Sequence, residues 1–331
     1  MPSDFAVRPP GSPSPSRPLG VTLAVLNGLV GDYLQRRGNG LAIRGELLHH
    51  GEPLSLAPEA LRRSLPNPSR LAVWIHGLCV DETVWVPPGH PERSFPACLE
   101  AELGYVPLLL RYNSGRHVSE NGELLAGQLE ELVQHAPAPV EELLLVGYSM
   151  GGLVIRSACH AGARHGHAWL ARVRQAIYLG VPHLGSPFER LGRVVAWGLR
   201  TLPNPYTRLI AAVGDLRSAG IQDLGRGRLL REHWEGADPA APLHDSHHPL
   251  PLLPGIRHGL IAGCLRPDER DVLSALFGDG MVPLASACAG LPRSSDLLGR
   301  VRVVPGVGHL GLPRHPEVWT QLRAWCAEEG R

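Results

Sequence analysis

The sequence predicts an α/β fold: a mostly parallel, doubly wound sheet flanked by helices and interrupted by an inserted cap or lid. Three observations carry this. Short apolar runs, such as LAVWI at 71–75, alternate with longer segments whose apolar residues recur on one helical face. The runs are apolar throughout, so the strands are covered on both sides, as parallel strands are. From about Phe188 to Pro254 the alternation stops in a Pro-, Gly- and Arg-rich stretch too long for a plain connection, which predicts a cap or lid. The pattern divides the chain into a leader at 1–18, an N-terminal helix and strand hairpin at 19–69, a core at 70–187 and 255–331, and the cap at 188–254.

The leader, PSDFAVRPPGSPSPSRP at 2–18, is too rich in Pro and Ser to fold. LGVTLAVLNGLV at 19–30 follows Arg8 and Arg17 as the core of a signal peptide would, but it lacks an A-x-A cleavage site and is too short for a bilayer. Val21, Val25, Leu29 and Tyr33 recur every four residues and predict a docked amphipathic helix. Residues 39–56 read as two short strands about a His-Gly turn, and RLAVWIHG at 70–77 as a strand ending in glycine. SFPACLEAELG at 94–104 has a serine cap, helical spacing and a terminal glycine, and VPLLLRY at 106–112 is the next buried strand. Leu124, Leu125, Leu129, Leu132 and Val133 share one face of a helix over 119–137, which ELLLVG follows as a strand and GGLVIRSACHAGARHG as a helix. Further strands are AIYLG at 176–180, the stretch near 256–264 and GRVRVVPG at 299–306, and EVWTQLRAWCAEE closes the chain as a helix.

Composition narrows the function. With 32 Lys+Arg against 31 Asp+Glu, the net charge of +1 offers no basic field to nucleic acid or to an anionic membrane. Every basic residue is arginine, which excludes Schiff-base, pyridoxal and phosphate-loop lysine chemistry. Cys79, Cys98, Cys159, Cys264, Cys288 and Cys326 form no C-x-x-C pair and are expected as buried thiols, although export would allow a Cys264–Cys288 disulfide. No stretch reaches transmembrane length, so no integral membrane segment is expected, and the reading is cytoplasmic with export left open.

The chemistry centres on LLLVGYSMGG at 143–152. A G-x-S-x-G pentapeptide alone is a weak signal, but here a strand precedes it and a helix follows, the context of a nucleophile on a sharp strand-to-helix turn. Side chains at Gly147, Gly151 and Gly152 would collide with the flanking strand and helix. Ser149 is therefore the expected nucleophile rather than a polar turn residue. A serine needs a base and donors for the developing oxyanion. Met150 N–H is one expected donor; Leu78 N–H, after Gly77 at the end of the 70–77 strand, is the other. His76 is read as a structural histidine orienting that loop.

The base must come later in the chain. His309, in the glycine-flanked VPGVGHLGL after the last strand, is the best placed; His258 is expected to precede a strand and His315 to start a helix. Asp279, between glycines in FGDGMVPLASA, is the expected acid, since Asp268 and Asp271 lie in the charged run RPDERD of a solvated face.

These residues resemble the α/β-hydrolase superfamily, and more narrowly its bacterial lipase and esterase branch, which includes relatives of the GPI inositol-deacylases. The resemblance rests on HG at 76–77, GYSMG at 147–151, VPHLGSP at 181–187, GDGMVP at 278–283 and GHLGL at 308–312, in the family's order over roughly 70–325. VPHLGSP is similar to that branch's T-P-H-x-G-S element, with Val181 in place of the usual threonine; the resemblance implies that His183 supports the site from behind. It also implies a Ser-His-Asp hydrolase that cleaves a small-molecule or lipid carboxylic ester through an acyl-enzyme, without a cofactor. The triad does not report the leaving group, so thioester, amide or polyester cleavage stands as the alternative, together with a catalytically silent binding protein. Some secreted members bind calcium or zinc. His244, Asp245, His247 and His248 match no defined zinc spacing, so no metal is expected.

Overall fold

The computed structural model describes residues 17–187, 218–236, 250–266, 278–288 and 300–328. Residues 1–16 of the leader, most of the expected cap, the His244–His248 cluster, Asp268 and Asp271 lie outside the described residues. Among the described residues eight strands form one sheet: β1 (Glu46–His49), β2 (Glu52–Pro53), β3 (Arg70–Ile75), β4 (Val106–Arg111), β5 (Glu142–Tyr148), β6 (Val173–Leu179), β7 (Arg257–Cys264) and β8 (Val301–Pro305). Their order is β2-β1-β4-β3-β5-β6-β7-β8. From β4 through β8 neighbouring strands are parallel, while β1 runs antiparallel to both β4 and β2. The β1–β2 hairpin turns at His50 and Gly51, whose φ values of 49° and 84° are both left-handed, as the type I′ hairpin turn requires.

The period of two decides what covers each face. Leu71, Val73 and Ile75 of β3 enter one core with α1 (Arg17–Arg36), α4 (Val118–His135) and α5 (Met150–His165). Ala72 and Trp74 enter the other with α3 (Phe95–Leu103) and the C-terminal α8 (Pro316–Ala327). Such a strand is apolar on both faces, which is why its sequence shows no alternation. The predicted stops of α3 hold: Ser94 Oγ accepts from Ala97 N, and Gly104 ends the helix at φ 71°. A short α2 (Pro58–Ser64) lies where no element was expected; seven residues are too few to show a helical period.

His258 does not stand where its sequence context predicts. It lies inside β7 rather than before it, buried, with Nδ1 3.1 Å from Tyr178 Oη and Nε2 2.9 Å from Leu253 O. None of the six cysteines is joined in a disulfide.

Part of the inserted stretch is described. It holds α6 (Ala219–Arg226), capped by Ser218, whose Oγ accepts from Ile221 N and donates to Gly28 O of α1 at 2.7 Å. Asp223 on α6 accepts from the His117 ring and from Val118 N, each at 2.9 Å, and so supplies the start of α4 with an acceptor from another element. A short α7 (Leu284–Ala287) follows the Asp279 loop. No helix among the described residues is long and apolar enough to cross a membrane.

Candidate active site

In a parallel sheet the loops at the strands' carboxyl ends converge on one edge. There the structure brings Ser149, His309 and Asp279 together. His309 Nε2 lies 3.0 Å from Ser149 Oγ, and His309 Nδ1 lies 2.6 Å from Asp279 Oδ2. Since a carboxylate only accepts, Nδ1 carries the proton and Nε2 is left to accept from the serine hydroxyl. All three side chains are buried.

Ser149 follows β5 and precedes α5 with φ 53° and ψ −124°, a conformation non-glycine residues rarely adopt. Close approach of backbone makes room for it. A Cβ at Gly147 would stand 2.6 Å from Gly152 Cα, and one at Gly151 2.5 Å from His76 O.

Met150 is the first residue of α5, so its N–H has no acceptor within the helix. Leu78 lines the pocket in front of Ser149. His76 is buried and stacks on Tyr112 with ring centroids 4.3 Å apart. Its Nδ1–H donates to Gly77 O at 2.9 Å. That carbonyl belongs to the same planar peptide as Leu78 N–H, so the bond helps set where Leu78 N–H points. Burial holds the His76 imidazole below its ordinary pKa, which keeps it neutral.

Asp279 is held by its own loop. Oδ1 accepts from Met281 N at 3.0 Å and Val282 N at 2.8 Å, and Asp279 O accepts from His309 N at 3.0 Å. His183 is not among the residues that line the pocket; it meets α5, where Arg156 Nη1 donates to its Nδ1 at 3.2 Å. Burial, and then the Arg156 charge, hold its pKa well below the ordinary value. Ser286 Oγ accepts from Leu184 N and donates to Gly185 O at 2.8 Å, while Ser186 Oγ donates to Met281 O at 2.6 Å. The 181–187 loop is thereby stapled to the loop that carries Asp279.

The pocket over Ser149 has a volume of about 410 Å³, within the range of small-ligand sites. Beyond the three polar side chains its walls are mostly apolar: Leu78, Val80, Tyr148, Leu224, Met281 and Leu310. Of these, only Leu78 is expected at the site from the sequence. Tyr148, whose hydroxyl donates to His309 O at 3.2 Å, occupies the unconstrained second position of the pentapeptide and carries no signal there. Among the described residues no group of His, Cys, Asp and Glu is placed to hold a metal ion.

No protein-family model matches the chain, and no curated protein matches it. Among solved structures it is similar to the mature form of Bacillus licheniformis lipase BlEst2, at 18% identity and a TM-score of 0.49 over 86% of this chain and 98% of that one. It is also similar to a thermophilic esterase from Thermogutta terrifontis, at 17% identity and a TM-score of 0.40 over 77% and 89% of the two chains. A third is YbtT, the type II thioesterase of a yersiniabactin pathway, at 15% identity and 0.42 over 78% and 92%. At these values the chemistry of the site rests on its own geometry. By strand order, strand direction and the turn at Ser149, the chain has an α/β-hydrolase fold.

Proposed function

We propose that the protein is a serine hydrolase of carboxylic esters, an esterase or lipase, with Ser149 as nucleophile, His309 as general base and Asp279 as its orienting acid. One observation carries this: a single imidazole lies 3.0 Å from a hydroxyl on a strained turn and 2.6 Å from a buried carboxylate. Ser149 Oγ attacks the ester carbonyl while its proton passes to His309 Nε2; Asp279 stabilises the imidazolium that forms. The N–H groups of Leu78 and Met150 receive the oxyanion, a contribution on the order of 10²–10³ in rate per donor. His309 then protonates the departing alkoxide, and a water molecule activated by the same nitrogen hydrolyses the acyl-enzyme. None of these steps calls on a cofactor.

The apolar lining supports an apolar acyl group as the part held in the pocket. The segment 188–254 is the proposed cap, supported by Leu224, which reaches the pocket from α6. Membership in the lipase branch with GPI inositol-deacylase relatives is part of the same proposal and is supported by the 181–187 element.

Labelling with a fluorophosphonate tests the reading. The wild-type chain is expected to label and to hydrolyse p-nitrophenyl esters, and Ser149→Ala to lose both, with kcat lower by about 10⁶. Equal labelling of the two proteins would sink the assignment.

A further inference from the structure

Helix α1, whose apolar stretch resembles a leader in sequence, supplies nothing to the chemistry above. Yet its backbone lies directly on the loop that carries Leu78. A Cβ at Gly28 would stand 2.8 Å from Cys79 N and 2.9 Å from Cys79 Cα, with Cys79 Sγ nearer still. Cys79, the next residue after Leu78, is fully buried and has φ 59°. A residue with a Cβ holds that left-handed conformation only where its surroundings impose it. Its thiol offers no reason for the strain, because burial pushes the pKa up to about 12 and no thiolate forms near neutrality.

The surroundings are two elements that pack on each other. Cys79 N–H donates to Ser114 Oγ at 3.2 Å, from the loop after β4. That loop is pressed against α1 in turn: Asn113 Nδ2 donates to Gly31 O at 2.9 Å, and a Cβ at Gly115 would stand 2.8 Å from Gly31 N. α1 is tied to the segment before β1 by the buried Asn27, which donates to Leu41 O at 2.8 Å and accepts from Ile43 N at 2.9 Å. Leu78 therefore sits between two anchored peptide planes. Gly77 O is held by His76 on one side, and Cys79 N–H by Ser114 on the other.

We propose that Gly28 of α1 and Ser114 form a clamp on Cys79 that aims Leu78 N–H at the oxyanion, which makes both positioning residues for the reaction. This rests on the ester-hydrolase reading and on Leu78 as a donor. It gives the N-terminal helix a part in transition-state stabilisation without contact with substrate.

The test uses the full chain. Ser114→Ala removes the acceptor, and Gly28→Ala pushes a methyl group onto the Cys79 backbone. For each, kcat and KM on p-nitrophenyl butyrate and the inhibition constant of phenylethylboronic acid, which forms a tetrahedral serine adduct, are measured beside the melting temperature. Leu61→Ala, a core truncation in α2, provides a reference for lost stability alone. The expected result is kcat lower by tenfold or more, KM within twofold, and boronate affinity weakened by the same factor as kcat/KM. Folded Ser114→Ala with kcat and boronate affinity within twofold of wild type would overturn the clamp, and so would a loss that Leu61→Ala reproduces at equal melting temperature. If Gly28→Ala does not fold, Ser114→Ala alone decides. Turnover retained by Ser149→Ala overturns the hydrolase reading instead, and the clamp's function with it.

Discussion

His309 and Asp279 are joined twice: the imidazole Nδ1–H donates to Oδ2 at 2.6 Å, and the His309 amide donates to the Asp279 carbonyl at 3.0 Å. The ring is therefore fixed both by its own hydrogen bond and by the backbone beneath it. With Nδ1 protonated, only Nε2 can accept from Ser149, 3.0 Å away.

Asp279→Asn should preserve this geometry and lose the chemistry. The amide oxygen can stay on Met281 N and Val282 N, which turns its NH₂ toward His309 Nδ1. Nδ1 must then accept, Nε2 carries the proton, and the serine has no base. The expected loss in kcat is on the order of 10³–10⁴, with KM little changed and the melting temperature nearly kept. Steady-state kinetics with a thermal melt check it.

The turn at Ser149 depends on backbone approach that no side chain permits. A Cβ at Gly151 would lie 2.5 Å from His76 O and 2.8 Å from Ile75 C, both main-chain atoms of the central sheet edge. Gly151→Ala should cost at least the ~1–3 kcal/mol of ordinary overpacking, because a strand end yields less than a side chain. A lower urea midpoint at unchanged m-value is the expected observation.

Leu224 reaches the pocket from α6 and is only 3% exposed. Leu224→Trp should shorten the space available to the acyl chain. The ratio of kcat/KM for an octanoyl over an acetyl p-nitrophenyl ester is expected to fall about tenfold or more, since filling space of even one methylene is worth ~1–3 kcal/mol. An unchanged chain-length profile would place the acyl group elsewhere.

Stability should fall on acidification below neutrality. Burial is the largest cause lowering the pKa values of His49, His76, His160, His183 and His258, so near and below pH 6.5 the unfolded chain binds protons that the folded chain refuses. The stabilisation is present above that pH and is lost as pH falls toward the folded values. Asp223, raised by burial, acts in the opposite sense above the ordinary carboxylate range. His183→Gln should flatten the dependence by up to ~1.4 kcal/mol per pH unit, read from urea midpoints between pH 7.5 and 5.5.

What the sequence determined by itself was local. Strands buried on both faces read as continuous apolar runs, and Ser94 and Gly104 end α3 where cap chemistry requires. Gly147, Ser149 and Gly151 could be named because the turn's steric demand is met within five residues. Only the tertiary structure decided what crosses long separations. Ser149, Asp279 and His309 meet because parallel crossovers bring the ends of β5, β7 and β8 to one edge. The lining by Leu224 and the contact of Gly28 with Cys79 depend on helices docking over spans where no periodicity records the partner. Local sequence sets φ, ψ and which face is apolar; which apolar faces meet is settled by packing, a property of the whole chain.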